Sequence, residues 1–223
     1  MATPAFVVVE IACEHANQVH LLPHLSGVCR QGGAEVYAAS SPGRVVGLEP
    51  GTVSAALLVA RWADVDAARR VTTHTLLPRL REALPSGSEP TVLLAESLPD
   101  LGLPDMMDIP TRASVPRPAQ HPRNAFLLVR GTAWDQARLN QYRDIILPMH
   151  KERGGYYEAF AIQPGQVEAL SGEWTEQILA ISRWPARAVA EDFWFSDRYQ
   201  TEAIPLRLGA GRFTVHMVEA AVD

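Results

Sequence analysis

Short apolar runs alternate along the chain with longer stretches in which apolar residues return every three or four positions. "AFLLVRG" (125–131), "YYEAFAI" (156–162), "QILAISRW" (177–184) and "RFTVHMVEA" (212–220) are short and rich in β-formers, as strands are. Between the first two, Leu139, Tyr142, Ile145 and Ile146 fall at helical spacing. Asp135 is placed to cap that helix and Gly154-Gly155 to stop it, so a helix is predicted over 135–153. "ARAVAEDFWFSDRYQ" predicts a second helix, beginning after Pro185. The order β-α-β-β-α-β is that of a ferredoxin-like unit.

The first part of the chain spells the same order. It runs "FVVVEIA", a helix over 15–31, "AEVYAAS", "AALLVARW", a helix over 65–83 and "PTVLLAESL". Pro23 lies inside the first of these helices and is expected to kink or shorten it. The match is a repeat in register. Gly32-Gly33 and Gly154-Gly155 lie 122 residues apart, as do Pro42-Gly43 and Pro164-Gly165, Leu48 and Leu170, and Arg61-Trp62 and Arg183-Trp184. The ends slip slightly: "AFVVVE" at 5–10 faces "AFLLVR" at 125–130, and Glu96 faces Glu219.

Three segments follow: a first unit over 1–98, a linker over 99–124 and a second unit over 125–223. The linker has prolines at 99, 104, 110, 116, 118 and 122, which forbids a continuous helix or central strand. It reads either as a tether or, through "LPDMMDIP", as a lid across a groove. A four-stranded sheet with two helices on one face leaves its other face bare. Two copies packed sheet to sheet would cover both. The expected fold is therefore α+β, two tandem ferredoxin-like units forming an α+β barrel and an internal pseudo-dimer. A further homodimer is compatible with this arrangement.

The net charge of −5, with Lys and Arg scattered, argues against a nucleic-acid partner or an anionic membrane surface. No apolar run approaches the roughly 20 residues that span a bilayer. "MATPAFVVVEIACEH" has no basic stretch before its apolar run, so a cytoplasmic location is expected. Cys13 and Cys29 lack metal-ligand spacing and read as reduced thiols. His20 and His24 stand at i,i+4 without an evident third ligand, so no metal site is expected. There is no GxSxG, no Walker loop and no GxGxxG after a strand. "LGAGR" at 208–212 precedes a strand and reads as a turn.

The aromatic residues separate the copies. Tyr142, Tyr156, Tyr157, Phe160, Trp174, Trp184, Trp194, Phe195 and Tyr199 all fall in the second, whereas the first has mainly Phe6, Tyr37 and Trp62. An aromatic wall suits a flat or apolar ligand, which places a pocket in the second copy. Trp184 has a counterpart in Trp62 and reads as core; Trp174 and Trp194 read equally as core or pocket. Strand alternation puts Arg130 with Phe126 and Leu128, His216 with Thr214 and Val218, and Glu158 with Tyr156 and Phe160. Glu10 occupies the position matching Arg130. The two read as a structural ion pair, or Arg130 as a clamp for a carboxylate or enolate. His216 is the leading general acid/base candidate, against the plainer reading of a satisfied structural histidine. His150, near a helix C-terminus, is explained by the helix dipole.

"RGGYYEAF" and "LSGEWTEQILAISRWPARAVAEDFWFSDRYQ" together resemble the family known as domain of unknown function 1330. The shared positions are Gly154-Gly155, Gly172 with Trp174, Trp194-Phe195, and Ser196 with Tyr199-Gln200. The first copy departs from them, with Ala34 for Tyr156, Gly51 for Glu173 and His74 for Ser196. The resemblance implies a dimeric α+β barrel, here fused in one chain, and no particular reaction. Its wider superfamily includes cofactor-free monooxygenases, polyketide cyclases, lactone isomerases and some haem proteins, a fold-level prior only.

The expectation is a cofactor-independent enzyme acting on an aromatic or polyketide-like small molecule by cyclisation, isomerisation or elimination. His216 with Tyr157 or Glu158 would move protons and Arg130 would hold developing negative charge. Tyr142, Tyr156, Phe160, Trp174, Trp194 and Glu10 would line the ligand. The alternatives are a cofactor-free monooxygenase using the same pocket, and a non-catalytic binding protein. The binding protein would show aromatic walls without a convergent acid/base pair.

Overall fold

Strands and helices follow one another in the predicted order, with one further short strand in each copy. The computed structural model describes residues 3–12, 21–41, 44–50, 52, 55–98, 108–115 and 124–220. The first copy gives β1 (Ala5–Ala12), α1 (Leu21–Gln31), β2 (Glu35–Ser40), a two-residue β3 (Val46–Gly47), β4 (Ala55–Trp62), α2 (Val65–Val71), α3 (Leu77–Ala83) and β5 (Thr91–Glu96). The second gives β6 (Ala125–Ala133), α4 (Gln136–Glu152), β7 (Tyr156–Ala161), β8 (Val167–Ser171), β9 (Ile178–Trp184), α5 (Arg187–Phe195), α6 (Ile204–Ala210) and β10 (Gly211–Glu219). A π-helical turn precedes the last helix of each copy, at Thr72–Leu76 and Tyr199–Ala203. "LGAGR" is not a turn: Leu208, Gly209 and Ala210 end α6, and β10 begins at Gly211. Residues 15–20 of the first predicted helix, with His20, and residues 99–107 and 116–123 of the linker lie outside the described residues.

The chain divides into two units that do not coincide with the two copies. Unit 1 takes the described residues up to Ser97 together with Gln163–Thr175 and Ala220. Unit 2 takes Leu98–Ile162 and Glu176–Glu219. The reason is β8. It pairs antiparallel with β5, Val167 opposite Ala95 and Ala169 opposite Leu93, so the segment around it joins the first sheet. Arg69 on α2 holds it there through Glu168, 2.7 Å away.

In unit 1 the antiparallel strands run β2-β4-β1-β5-β8. β10-β6-β9-β7 is the order in unit 2, also antiparallel. Without β8, both have the 4-1-3-2 order of a ferredoxin-like unit. Leu76, Leu80 and Leu84 close the core of unit 1 against Leu25, Val7 and Trp62. Both shared tryptophans are core, as expected. Trp62 donates to the Gly32 carbonyl at 3.0 Å and Trp184 to the Ser182 hydroxyl at 3.0 Å.

The paired glycines close the first helix of each copy, with their roles exchanged. In unit 2, Gly154 has φ +72° and the Gly155 amide reaches the His150 carbonyl at 2.7 Å, which terminates α4. A Cβ on Gly155 would lie 2.9 Å from the Trp184 ring. In unit 1 it is the second glycine, Gly33, that takes the positive φ, and Ala34 makes the equivalent bond to Cys29.

Part of the linker belongs to unit 2. The Tyr157 amide donates to the Pro110 carbonyl at 2.9 Å, and the Leu98 amide to Glu158 at 2.8 Å. These contacts satisfy the edge of β7, while Ile109, Thr111 and Val115 are buried. Residues 108–115 are therefore docked rather than a free tether.

Candidate functional site

Sheet and helices of unit 2 do not fill the space between them. A cavity of about 160 Å³ lies there, walled by β6, β7, β9, α4, α6 and β10. Val129, Leu139, Ile146, Phe160, Ile178 and Phe213 form apolar walls. Gln136, Asn140 and Gln177 are exposed and mark the mouth. Arg143, also at the lining, lies 3.5 Å from Asp108 of the docked linker. Among the described residues no carboxylate and no imidazole lines the cavity.

Of the residues expected at the site, Tyr142, Tyr157 and Phe160 line this cavity. Phe160 does so because of a β-bulge. Tyr157 stands opposite Ser182 and Ala159 opposite Ile181, which leaves Glu158 as the extra residue. Simple alternation put Phe160 on the face of Glu158. The bulge instead turns Phe160 to the helix side with Tyr157, their rings 5.0 Å apart.

The other expected residues are elsewhere. His216, 1 % exposed, stands opposite Leu128 on the face turned away from the helices. Glu158 lies 3.3 Å from Arg183 and also meets Tyr156, whose hydroxyl is shifted up by burial and then by the Glu158 charge. Arg130 pairs with Glu176 at 3.6 Å. Glu10 is a residue of β1 in unit 1. Trp174 leaves with β8 and belongs to unit 1. Trp194 is buried beneath α6, behind the cavity wall. The sheet thus separates Tyr157 from His216 and Arg130, while Glu158, the alternative partner of His216, lies with Arg183 away from the cavity.

Sequence reasoning missed Arg207. Its side chain lines the cavity yet is only 1 % exposed. Tyr199, Ala203 and Arg207 recur every four residues and are all buried, so the arginine continues an inward helix face. That spacing was the available signal. The guanidinium carbon lies 4.8 Å from the ring centre of Trp194, 5.8 Å from those of Tyr142 and Phe213, and 5.9 Å from that of Tyr199. Burial pushes its pKa down to about 9, which still leaves it protonated at neutral pH.

Beside it the Tyr142 and Tyr199 hydroxyls are 3.1 Å apart. Burial raises Tyr142 to about 12 and Tyr199 well above its ordinary value. Both are therefore neutral hydrogen-bonding groups at neutral pH. Tyr157 is likewise pushed up by burial.

His150 is not explained by the helix dipole. It is buried among Tyr157, Trp184 and Phe193, with ring centres 4.5–5.0 Å away. Its Nδ1 donates to the Ile146 carbonyl at 2.8 Å. Burial lowers it to about 4, so the ring is neutral and props the cavity wall through Tyr157.

The haem found in some members of the wider superfamily does not fit this cavity. Its volume matches about one aromatic ring, and no histidine or cysteine of the described residues lines it. Nor do the described residues hold any group of three or more metal-ligating side chains. Among the described residues no helix is long and apolar enough to cross a membrane.

No curated protein matches the chain. Solved structures resemble it in fold across nearly its whole length. A candidate monooxygenase from Fusobacterium nucleatum is 8% identical, with 98% of this chain and 93% of that one covered and a TM-score of 0.54. A variant of the chlorite dismutase from Candidatus Nitrospira defluvii is 11% identical, covering 98% and 91%, with a TM-score of 0.53. A candidate monooxygenase from Lactobacillus acidophilus is 9% identical, covering 99% and 100%, with a TM-score of 0.50. Such identities establish a shared fold and nothing of the chemistry. In sequence, residues 124–221 match the family described as Domain of unknown function (DUF1330), a match that falls on the second copy of the chain.

Proposed function

We propose that unit 2 binds a compact aromatic small molecule in the cavity between its sheet and α4. The observation that carries this reading is a space of about 160 Å³ with aliphatic and aromatic walls and a few polar groups among its lining. That volume is close to the roughly 150 Å³ of engineered cavities that take up benzene. The lining offers hydrogen-bond donors and a cation. With no carboxylate or imidazole among the described lining residues, it has aromatic walls without a convergent acid/base pair. This supports recognition of a ring more directly than proton-shuttling cyclisation or isomerisation.

A second reading draws on the Tyr142–Tyr199 hydroxyl pair beside Arg207. Neutral hydroxyls and a guanidinium are groups that stabilise an enolate or phenolate oxygen. They would support oxygenation or isomerisation of a substrate that arrives already ionised. Two structures of similar fold are named as candidate monooxygenases, which makes oxygen uptake the activity to assay first.

The test is a titration of the full chain with benzyl alcohol, followed by methyl NMR. Leu139, Ile146 and Ile178 methyls should shift together and saturate, while unit 1 methyls such as Leu76 and Leu80 stay fixed. Unchanged Ile146 and Ile178 signals at saturating ligand would overturn the cavity reading.

A further inference from the structure

Arg207 sets a preference that the apolar walls alone do not. We propose that the unit 2 cavity selects a monocyclic aromatic acid, with the ligand's carboxylate received by the Arg207 guanidinium and its ring held by the apolar walls. The inference rests on the cavity reading above and adds the charge of the ligand to it.

Three observations carry it. The first is placement. Arg207 contributes to the lining while almost entirely removed from bulk water, so whatever fills the cavity meets a cation in a setting of weak screening. The second is the way the cation is held. Trp194, Tyr142, Tyr199 and Phe213 all contact it through ring faces within 5.9 Å. Ring contacts engage the flat face of a guanidinium, whereas carboxylates are recognised along its N–H edge. The rings confine the cation from four directions and leave its charge intact.

The third is that the arginine has no counterpart in unit 1. Aligned on the first residues of the two π turns, Thr72 and Tyr199, the position of Arg207 falls on the buried Leu80. In unit 1 this helix packs Leu76, Leu80 and Leu84 into a closed leucine core. The described residues at these positions in unit 1 are leucines, and the buried cation belongs to unit 2.

The experiment is calorimetric titration of the full chain at pH 7 with benzoate, benzamide and benzylamine. These share a ring and differ in charge. Benzoate is expected to bind at least about tenfold more tightly than benzamide, with benzylamine weakest. Arg207→Gln should bring benzoate to the level of benzamide and leave benzamide within about twofold of its original affinity. Equal binding of benzoate and benzamide to the unaltered protein would overturn the carboxylate assignment and leave the cavity reading standing. Failure of all three to bind at about 10 mM would overturn the cavity reading, and the inference with it. The comparison on the unaltered protein decides the matter even where Arg207→Gln fails to fold.

Discussion

The guanidinium carbon of Arg207 lies 4.8 Å from the centre of the Trp194 ring, and both side chains are buried. A desolvated contact of this kind contributes about 2 kcal/mol. Trp194→Phe keeps a ring face beneath the cation, and Trp194→Leu removes it. Urea unfolding should show the leucine variant less stable than the phenylalanine variant by about 1–2 kcal/mol. Equal stabilities would mean that the ring holds Arg207 by shape alone.

Tyr142 and Tyr199 share one hydrogen bond in a buried setting. Removing one hydroxyl strands the other, at a cost of about 1–3 kcal/mol, whereas removing both strands neither. Tyr142→Phe and Tyr199→Phe should each destabilise the protein, and the double variant should be closer to the parent than the sum of the two. Additive losses in a double-mutant cycle would count against the bond.

Phe213 depends on two glycines. A Cβ on Gly131 would come 2.5 Å from the Phe213 ring and closer still to the Arg212 carbonyl. A Cβ on Gly211 would meet the same ring at 2.8 Å. Gly131→Ala should therefore destabilise the fold by about 1–3 kcal/mol and push Phe213 toward the cavity. Pairing it with Phe213→Leu should recover part of the stability, measured by thermal unfolding. No recovery would place the strain on the strand backbone instead.

His150 makes stability depend on acidity. Burial holds the folded-state pKa at about 4, against 6.5 for an ordinary histidine, with a smaller push in the same direction from Arg153. Between these values the unfolded chain binds a proton that the folded chain does not. Stability is thus lost as the pH falls from 6.5 through 4, by up to about 3 kcal/mol. His150→Phe, which keeps a ring among Tyr157, Trp184 and Phe193, should flatten this stretch of the stability–pH curve. An unchanged curve would assign the acid sensitivity to other groups.

Several elements were legible in the sequence almost to the residue. β4 matches its predicted "AALLVARW" at both ends, and α4 is one residue shorter at each end than its predicted span. Periodicity reads such elements well because both copies bury one clean face. What it did not carry was the face of Phe160, since one inserted residue at Glu158 reverses alternation and leaves no compositional mark. Arg207 was legible only through its four-residue spacing from Ala203 and Tyr199, because the predicted helix ends at Gln200 and the helical stretch runs on to Ala210. Trp174 was a pocket candidate because only the second copy carries it. Nothing local to it announces that β8 pairs away from β7.

That departure of β8 binds the history of the two copies together. A chain cut in the linker would leave the first piece without the strand that caps β5, and the second with an unpaired strand of its own. During synthesis the first sheet cannot reach its final width until the ribosome has passed Ser171, well into the second copy. Through the five residues of β8 the second copy completes the first sheet, so the boundary between the copies in sequence is not a boundary between separable pieces.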